Sequence, residues 1–144
     1  MARGDLTVFN EAKAYMIDGG WAAADVIKCA ILDNTKAPLA NDVAPDLSDY
    51  TEVGIGGTYV AGGISLGTLG NCVTETGGVM TFDSDTNPTW AQHVNNDVDA
   101  FWGLIYNDTS DDQAIAFINL GGPVDMSAGA LTITWNALGI FTIT

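Results

Sequence analysis

The sequence predicts an all-β fold, an antiparallel β-sandwich or jelly roll with one short N-terminal helix packed outside it. The closing stretch from Leu131 to Thr144 alternates apolar residues with threonine and asparagine. The middle of the chain sets glycine at 54, 56, 57, 62, 63, 67, 70, 77 and 78 between short runs, a turn frequency that suits short antiparallel strands and excludes long helices. Further β-rich runs recur at intervals, broken by Gly and Asp turns, as in sandwiches.

Taken in order, Thr7 can cap a helix running from Val8 to Ile17, with Val8, Ala12, Tyr15 and Met16 on one face. Gly19 and Gly20 stop it. Asp25 to Leu32 is an apolar run rich in β-formers and reads as the first central strand. Asp33 to Asp49, with Pro38 and Pro45, reads as a long loop, and loops of that length usually have a contact to make. Strands are expected over Val79 to Phe82, Phe101 to Asn107 and Gln113 to Leu120, with turns at Asn107 to Asp112 and Gly121 to Ala130.

At the end, Leu131, Ile133 and Trp135 alternate with Thr132, Thr134 and Asn136, and Phe141 and Ile143 alternate with Thr142 and Thr144. Asn136 to Gly139 is left between them as a four-residue turn, so the segment reads as a hairpin with one apolar face against a second sheet. All 144 residues form a single domain in this reading, 1–20 an arm and helix and 21–144 the β-sandwich. A chain of that length buries about two-thirds of its unfolded surface.

Charge narrows the function. Four Lys and Arg face 18 Asp and Glu, a formal net charge of -14, and the only bases are Arg3, Lys13, Lys28 and Lys36. Such a surface repels phosphate, which excludes nucleic acid as the expected partner. It promotes solubility, and it also suits the outward face of a crowded assembly. No apolar run reaches the roughly 20 residues of a membrane span, and the first residues have no signal-peptide core, so a soluble chain made inside a cell is expected, with no membrane partner. Cys29 and Cys72 sit in apolar, strand-like context without CxxC spacing; buried free thiols are expected, with a disulfide left open.

Several motifs invite chemistry. Arg3-Gly4-Asp5 spells an adhesion tripeptide, but three-letter matches arise by chance. Gly63 to Gly67 matches GxSxG around Ser65, yet the nucleophile elbow needs a strand-turn-helix context, no helix is expected after it, and the only base available is His93. The Gly-rich stretch before it has Tyr59 where a phosphate loop needs glycine. Asp83 to Asn87 begins like a calcium loop, but Pro88 stands at the sixth place and Val94 at the twelfth, so an Asx-rich turn is expected there. That turn and the Asp108, Asp111, Asp112 group are the places for adventitious Ca2+. His93 lacks companion ligands. The carboxylates lack cationic partners to shift their pKa values. Trp90, Phe101, Trp102, Tyr106, Phe117, Trp135 and Phe141 read as core. No catalytic constellation emerges, and the expectation is a non-enzyme without cofactor or metal.

Segments across Asp25 to Thr144 resemble a family of small structural proteins of tailed bacteriophages. The most telling pieces are Gly57-Thr58-Tyr59-Val60-Ala61-Gly62-Gly63, the stretch from Phe82-Asp83 through Trp90, and the ending Trp135-Asn136-Ala137-Leu138-Gly139-Ile140. None is an active-site signature. The resemblance implies a virion component, and size, acidity and strand content fit best a capsid decoration, or cement, protein. Such a protein clamps neighbouring major capsid subunits on the outside of the shell and self-associates as a dimer or trimer. Its contact elements would be the N-terminal helix, the two-proline loop and the sandwich edges. An alternative is a tail- or vertex-associated receptor- or carbohydrate-binding module using Trp21, Tyr50, Tyr59 and Trp90. A small hydrolase rests on Ser65 alone.

Overall fold

The computed structural model describes residues 1–144. Its strands are β1 (Leu6–Val8), β2 (Val26–Leu32), β3 (Ile64–Thr68), β4 (Val73–Thr76), β5 (Val79–Phe82), β6 (Thr89–Trp90), β7 (Ala100–Asn107), β8 (Gln113–Val124), β9 (Leu131–Thr132) and β10 (Phe141–Ile143). Helix α1 (Asn10–Asp18) follows β1, and the one-turn helix α2 (Leu69–Cys72) joins β3 to β4. The fold is all-β and every strand pairing is antiparallel. Sheets of five, three and two strands run in the orders β1-β8-β7-β2-β3, β10-β5-β4 and β6-β9. No helix is long and apolar enough to cross a membrane.

The central strands β2 and β7 carry near-continuous apolar runs because both of their faces are covered. Ile31, Leu32, Leu104 and Ile105 have no exposed surface, and each such side chain contributes about 1.5–3 kcal/mol by leaving water. Ile133 reaches the middle of the large sheet at Gly103, where an added Cβ would stand 2.9 Å from its Cδ1. The missing side chain is what lets the second layer close on the first there.

The amino-terminal region differs from expectation. Thr7 does not cap the helix: it pairs with Phe117 inside β1, Phe9 donates its N–H to Ile115 O at 3.0 Å, and the helix begins only at Asn10. Phe9 is fully buried against the ring of Phe117 at 5.0 Å and that of Tyr50 at 6.4 Å. Tertiary burial of that ring outweighs a hydroxyl cap, and it makes residues 6–8 part of the main sheet rather than of an arm ending at residue 20. Gly19 closes the helix in the left-handed conformation, as expected. The long loop is tied to α1, since Glu11 accepts from Ala44 N at 2.8 Å and Asn10 N donates to Ala40 O at 2.9 Å.

The C-terminal hairpin does not form. Its turn is present, with Gly139 at φ +103 and its N–H on Asn136 O, but the two arms separate. β9 pairs with β6 and β10 pairs with β5, where Phe141 stacks on Phe82 at 4.8 Å. Alternation marks which face of a strand is apolar; it carries no information about which strand lies alongside. The run Gln113 to Leu120 likewise continues as strand to Val124, past the turn expected at Gly121.

Candidate interaction surface

Asn96 is buried, and its side chain joins three stretches of chain. Its Oδ1 accepts from Thr58 N at 2.7 Å, and its Nδ2 donates to Ala91 O at 2.9 Å and Met126 O at 3.2 Å. Gly57 lies so close that an added Cβ would stand 2.1 Å from Asn96 Oδ1 and 2.8 Å from its N. Next to it, the Asp97 carboxylate accepts from Gly54 N at 2.8 Å and from the N–H groups of Val98 and Asp99. The bond from Gly54, with the two others, holds its pKa below the usual carboxylate range against the opposing effect of partial burial. Loops 53–62 and 91–99 therefore form one braced unit at the Ala100 end of β7.

This unit has an unusual surface for an acidic chain. Residues 53–74 and 86–96 contain no Asp, Glu, Lys or Arg. Within the two loops Ile55, Val60 and Val94 are each about two-thirds or more exposed and Val98 about half, at 66%, 68%, 75% and 49%. Exposed branched side chains on a charge-depleted, rigid support are the composition of a docking surface. Sequence reasoning missed Asn96 and Gly57. The signal available to it was the pair of charge-free windows in a chain with 18 acids.

The residues singled out from the sequence fall elsewhere. Trp21, Tyr50, Tyr59 and Trp90 are all buried, at 9%, 7%, 2% and 3% exposed, which removes them as sugar-stacking platforms. Tyr59 is instead an internal strut: its hydroxyl donates to Glu52 and accepts from Ile31 N, and burial drives its pKa far above the ordinary tyrosine value. Ser65 and His93 do not bond each other. Ser65 Oγ accepts from Gly67 N at 3.2 Å and His93 Nδ1 from Asn95 N at 3.1 Å. A single helical turn, α2, does follow the Ser65 strand, contrary to the expectation of none, but its four residues return the chain to antiparallel β4.

In the Asp83 to Asn87 turn, Ser84 Oγ donates to Leu66 O and accepts from Thr86 N, while Asn87 Oδ1 accepts from Trp135 N. No three His, Cys, Asp or Glu side chains converge as metal ligands. Cys29 and Cys72 are free and buried, as expected, and burial pushes their thiols up to about 12 and about 11. Arg3-Gly4-Asp5 is a tight turn, with Asp5 Oδ2 accepting from Ala2 N and Gly4 N bonded to Asn119 O. No family model, curated protein or solved structure matches the chain.

Proposed function

We propose that the chain is a structural virion protein of a tailed bacteriophage, a decoration or cement protein that binds the outside of the capsid and holds neighbouring major capsid subunits together. The resemblance of its segments to phage structural proteins suggests the setting. The observation that carries the reading is the division of the surface: a braced unit whose windows 53–62 and 91–96 carry no charge and expose Ile55, Val60 and Val94, on a molecule of net charge -14. The charge-free windows 53–62 and 91–96 meet the shell, and the acidic remainder faces solvent, where like charge discourages particles from sticking.

The mechanism is physical. Each contact is small, and occupancy of many equivalent sites on the shell supplies avidity. Self-association as a dimer or trimer belongs to the same proposal. The alternative of a receptor- or carbohydrate-binding module loses the four aromatics it named, which are buried, and keeps only its Asp/Asn loops.

The test is quantitative mass spectrometry of purified particles. A molar ratio to the major shell protein near one supports decoration, and a few copies per particle would move the chain to the tail or a vertex. Absence from particles overturns the proposal. On decorated particles, Val94→Asp is expected to lower occupancy at least tenfold while leaving the free protein folded.

A further inference from the structure

A cleft of about 370 Å3 opens at the β1–β8 corner of the large sheet, beneath the chain segment that continues from β9. Leu6, Ile118 and Leu120 from the sheet, and Thr132 and Thr134 from the segment at β9, are among the residues that line it. Leu6 and Ile118 are direct cross-strand partners, so their side chains share one face of the sheet. The volume lies in the range of real binding sites.

Two features show what the cleft can hold. The run from Ile133 to Trp135 is bonded along one edge only: Ile133 N donates to Pro88 O at 3.1 Å and Trp135 N to Asn87 Oδ1 at 3.0 Å. Between them Thr134, an exposed residue lining the cleft, uses neither its N–H nor its C=O within the chain. In an extended segment those groups point away from the bonded edge, and so are offered to another strand. The second feature is Arg3. The ion pairs of this chain are Lys28 with Asp108 and Lys36 with Asp49, and among 18 acids none lies within bonding distance of Arg3. Its stem rests on Gly121, where a Cβ would come within 2.8 Å of Arg3 Cβ, and Arg3 is one of the residues that line the cleft.

We propose that this cleft binds an extended segment of a partner protein by strand addition. The segment pairs with Thr134, lays an apolar side chain against the half-buried Leu6, and places a carboxylate on Arg3. Free backbone groups call for a peptide rather than a small anion. Charge selects the carboxylate: elsewhere the chain repels acids, and here an unpaired guanidinium offers a two-pronged donor. The cleft is separate from loops 53–62 and 91–99, and the proposal does not depend on the capsid reading.

The test uses the full chain, labelled for amide NMR, titrated with a capped hexapeptide of alternating valine and threonine ending in glutamate, and with its glutamine counterpart. The glutamate peptide is expected to shift the Leu6, Ile118 and Thr134 amides saturably, and the glutamine peptide to bind about tenfold more weakly, as loss of a charged hydrogen bond implies. Arg3→Gln should abolish that difference while keeping the fold. Thr134→Pro removes an N–H that has no partner in the chain and should weaken both peptides. Absence of saturable shifts, shifts confined to other loops, or equal binding of the two peptides by the native chain would overturn the proposal. Because no particle is used, its failure and that of the capsid assignment are told apart.

Discussion

At the Ala100 end of β7 the buried amide of Asn96 ties together loops without a single charge from 53 to 62 and from 91 to 96; at the Asn107 end the buried amide of Asn107 ties an ionised Asp25 to a turn holding Asp108, Asp111 and Asp112. Eight strand residues at about 3.3 Å each separate the two by roughly 25 Å. Both ends solve the same problem, the bracing of exposed loops by a side chain that satisfies backbone groups inside the fold. The neutral Asn96 leaves the windows 53–62 and 91–96 free of charge for contact, with Asp97 and Asp99 at their margin, whereas the ionised Asp25 makes its own bracing responsive to pH and salt. Asp25 accepts from Asn107 Nδ2 at 2.9 Å, Ala22 N at 3.0 Å and Ser110 Oγ at 3.0 Å, and the Asn107 bond does most to hold its pKa below the ordinary value. Asp112 shifts the other way, raised by burial first and then by Asp108 and Asp46.

Breaking the neutral anchor should have the largest effect. Asn96→Leu strands Thr58 N, Ala91 O and Met126 O without their partner, and a loss of about 2–4 kcal/mol is expected by urea unfolding. Amide exchange should quicken in loop 53–62 and stay unchanged around Asn107. If both ends loosen together, the two are one cooperative unit and the comparison fails.

Breaking the ionised anchor should give a smaller effect with a distinctive pH profile. A depressed folded pKa means that the Asp25 stabilisation is fully present above the unfolded value of about 3.9 and is lost as pH falls through the folded one. Asp25→Asn should therefore lower Tm at neutral pH, and the gap to the native chain should close on acidification below that window. Asn96→Leu should keep its gap throughout.

The acidic turn carries its own strain, since Asp111 and Asp112 both adopt positive φ, at 50 and 54. Asp112→Gly should stabilise by about 0.5–1 kcal/mol through backbone relief. Its folded pKa is raised, so the charged form costs stability once pH passes the unfolded value, and the gain from removing it should grow with pH. At the neutral end Ile55→Thr should change stability by less than about 0.5 kcal/mol, because the side chain is exposed, while lowering particle occupancy. A large Tm change there would mean that Ile55 serves the fold rather than a contact.

Much of this was legible in the residues. The runs Asp25 to Leu32, Val79 to Phe82 and Phe101 to Asn107 announced strands that lie within a residue or so of those places, and Gly19 announced the end of its helix. Thr7 misled because local capping competes with burial of Phe9, and burial of a whole ring is worth more. The aromatic residues Trp21, Tyr50 and Tyr59 misled in the opposite sense: they lie in loops beside turns, which suggests exposure, yet each is buried, while Trp90 is buried as its reading as core expected. The docking unit was half legible, as two charge-free windows, but nothing local shows that they touch.

The central strand runs, the antiparallel all-β class and the distribution of charge were determined by the sequence by itself, because alternation, β-branching, glycine turns and ionisable groups act over a few residues. Which strands pair, and which asparagine becomes an anchor, was decided only by the tertiary structure. The hairpin arms parted, with Phe141 stacked on Phe82 of β5, a partner far away in the chain that no local pattern names. Asn96 acquired its role because Thr58, 38 residues away, and Met126, 30 residues away, arrive within hydrogen-bond reach only when the sheets close. A buried amide is worth its desolvation only where such partners meet it, and that meeting is a property of the whole fold.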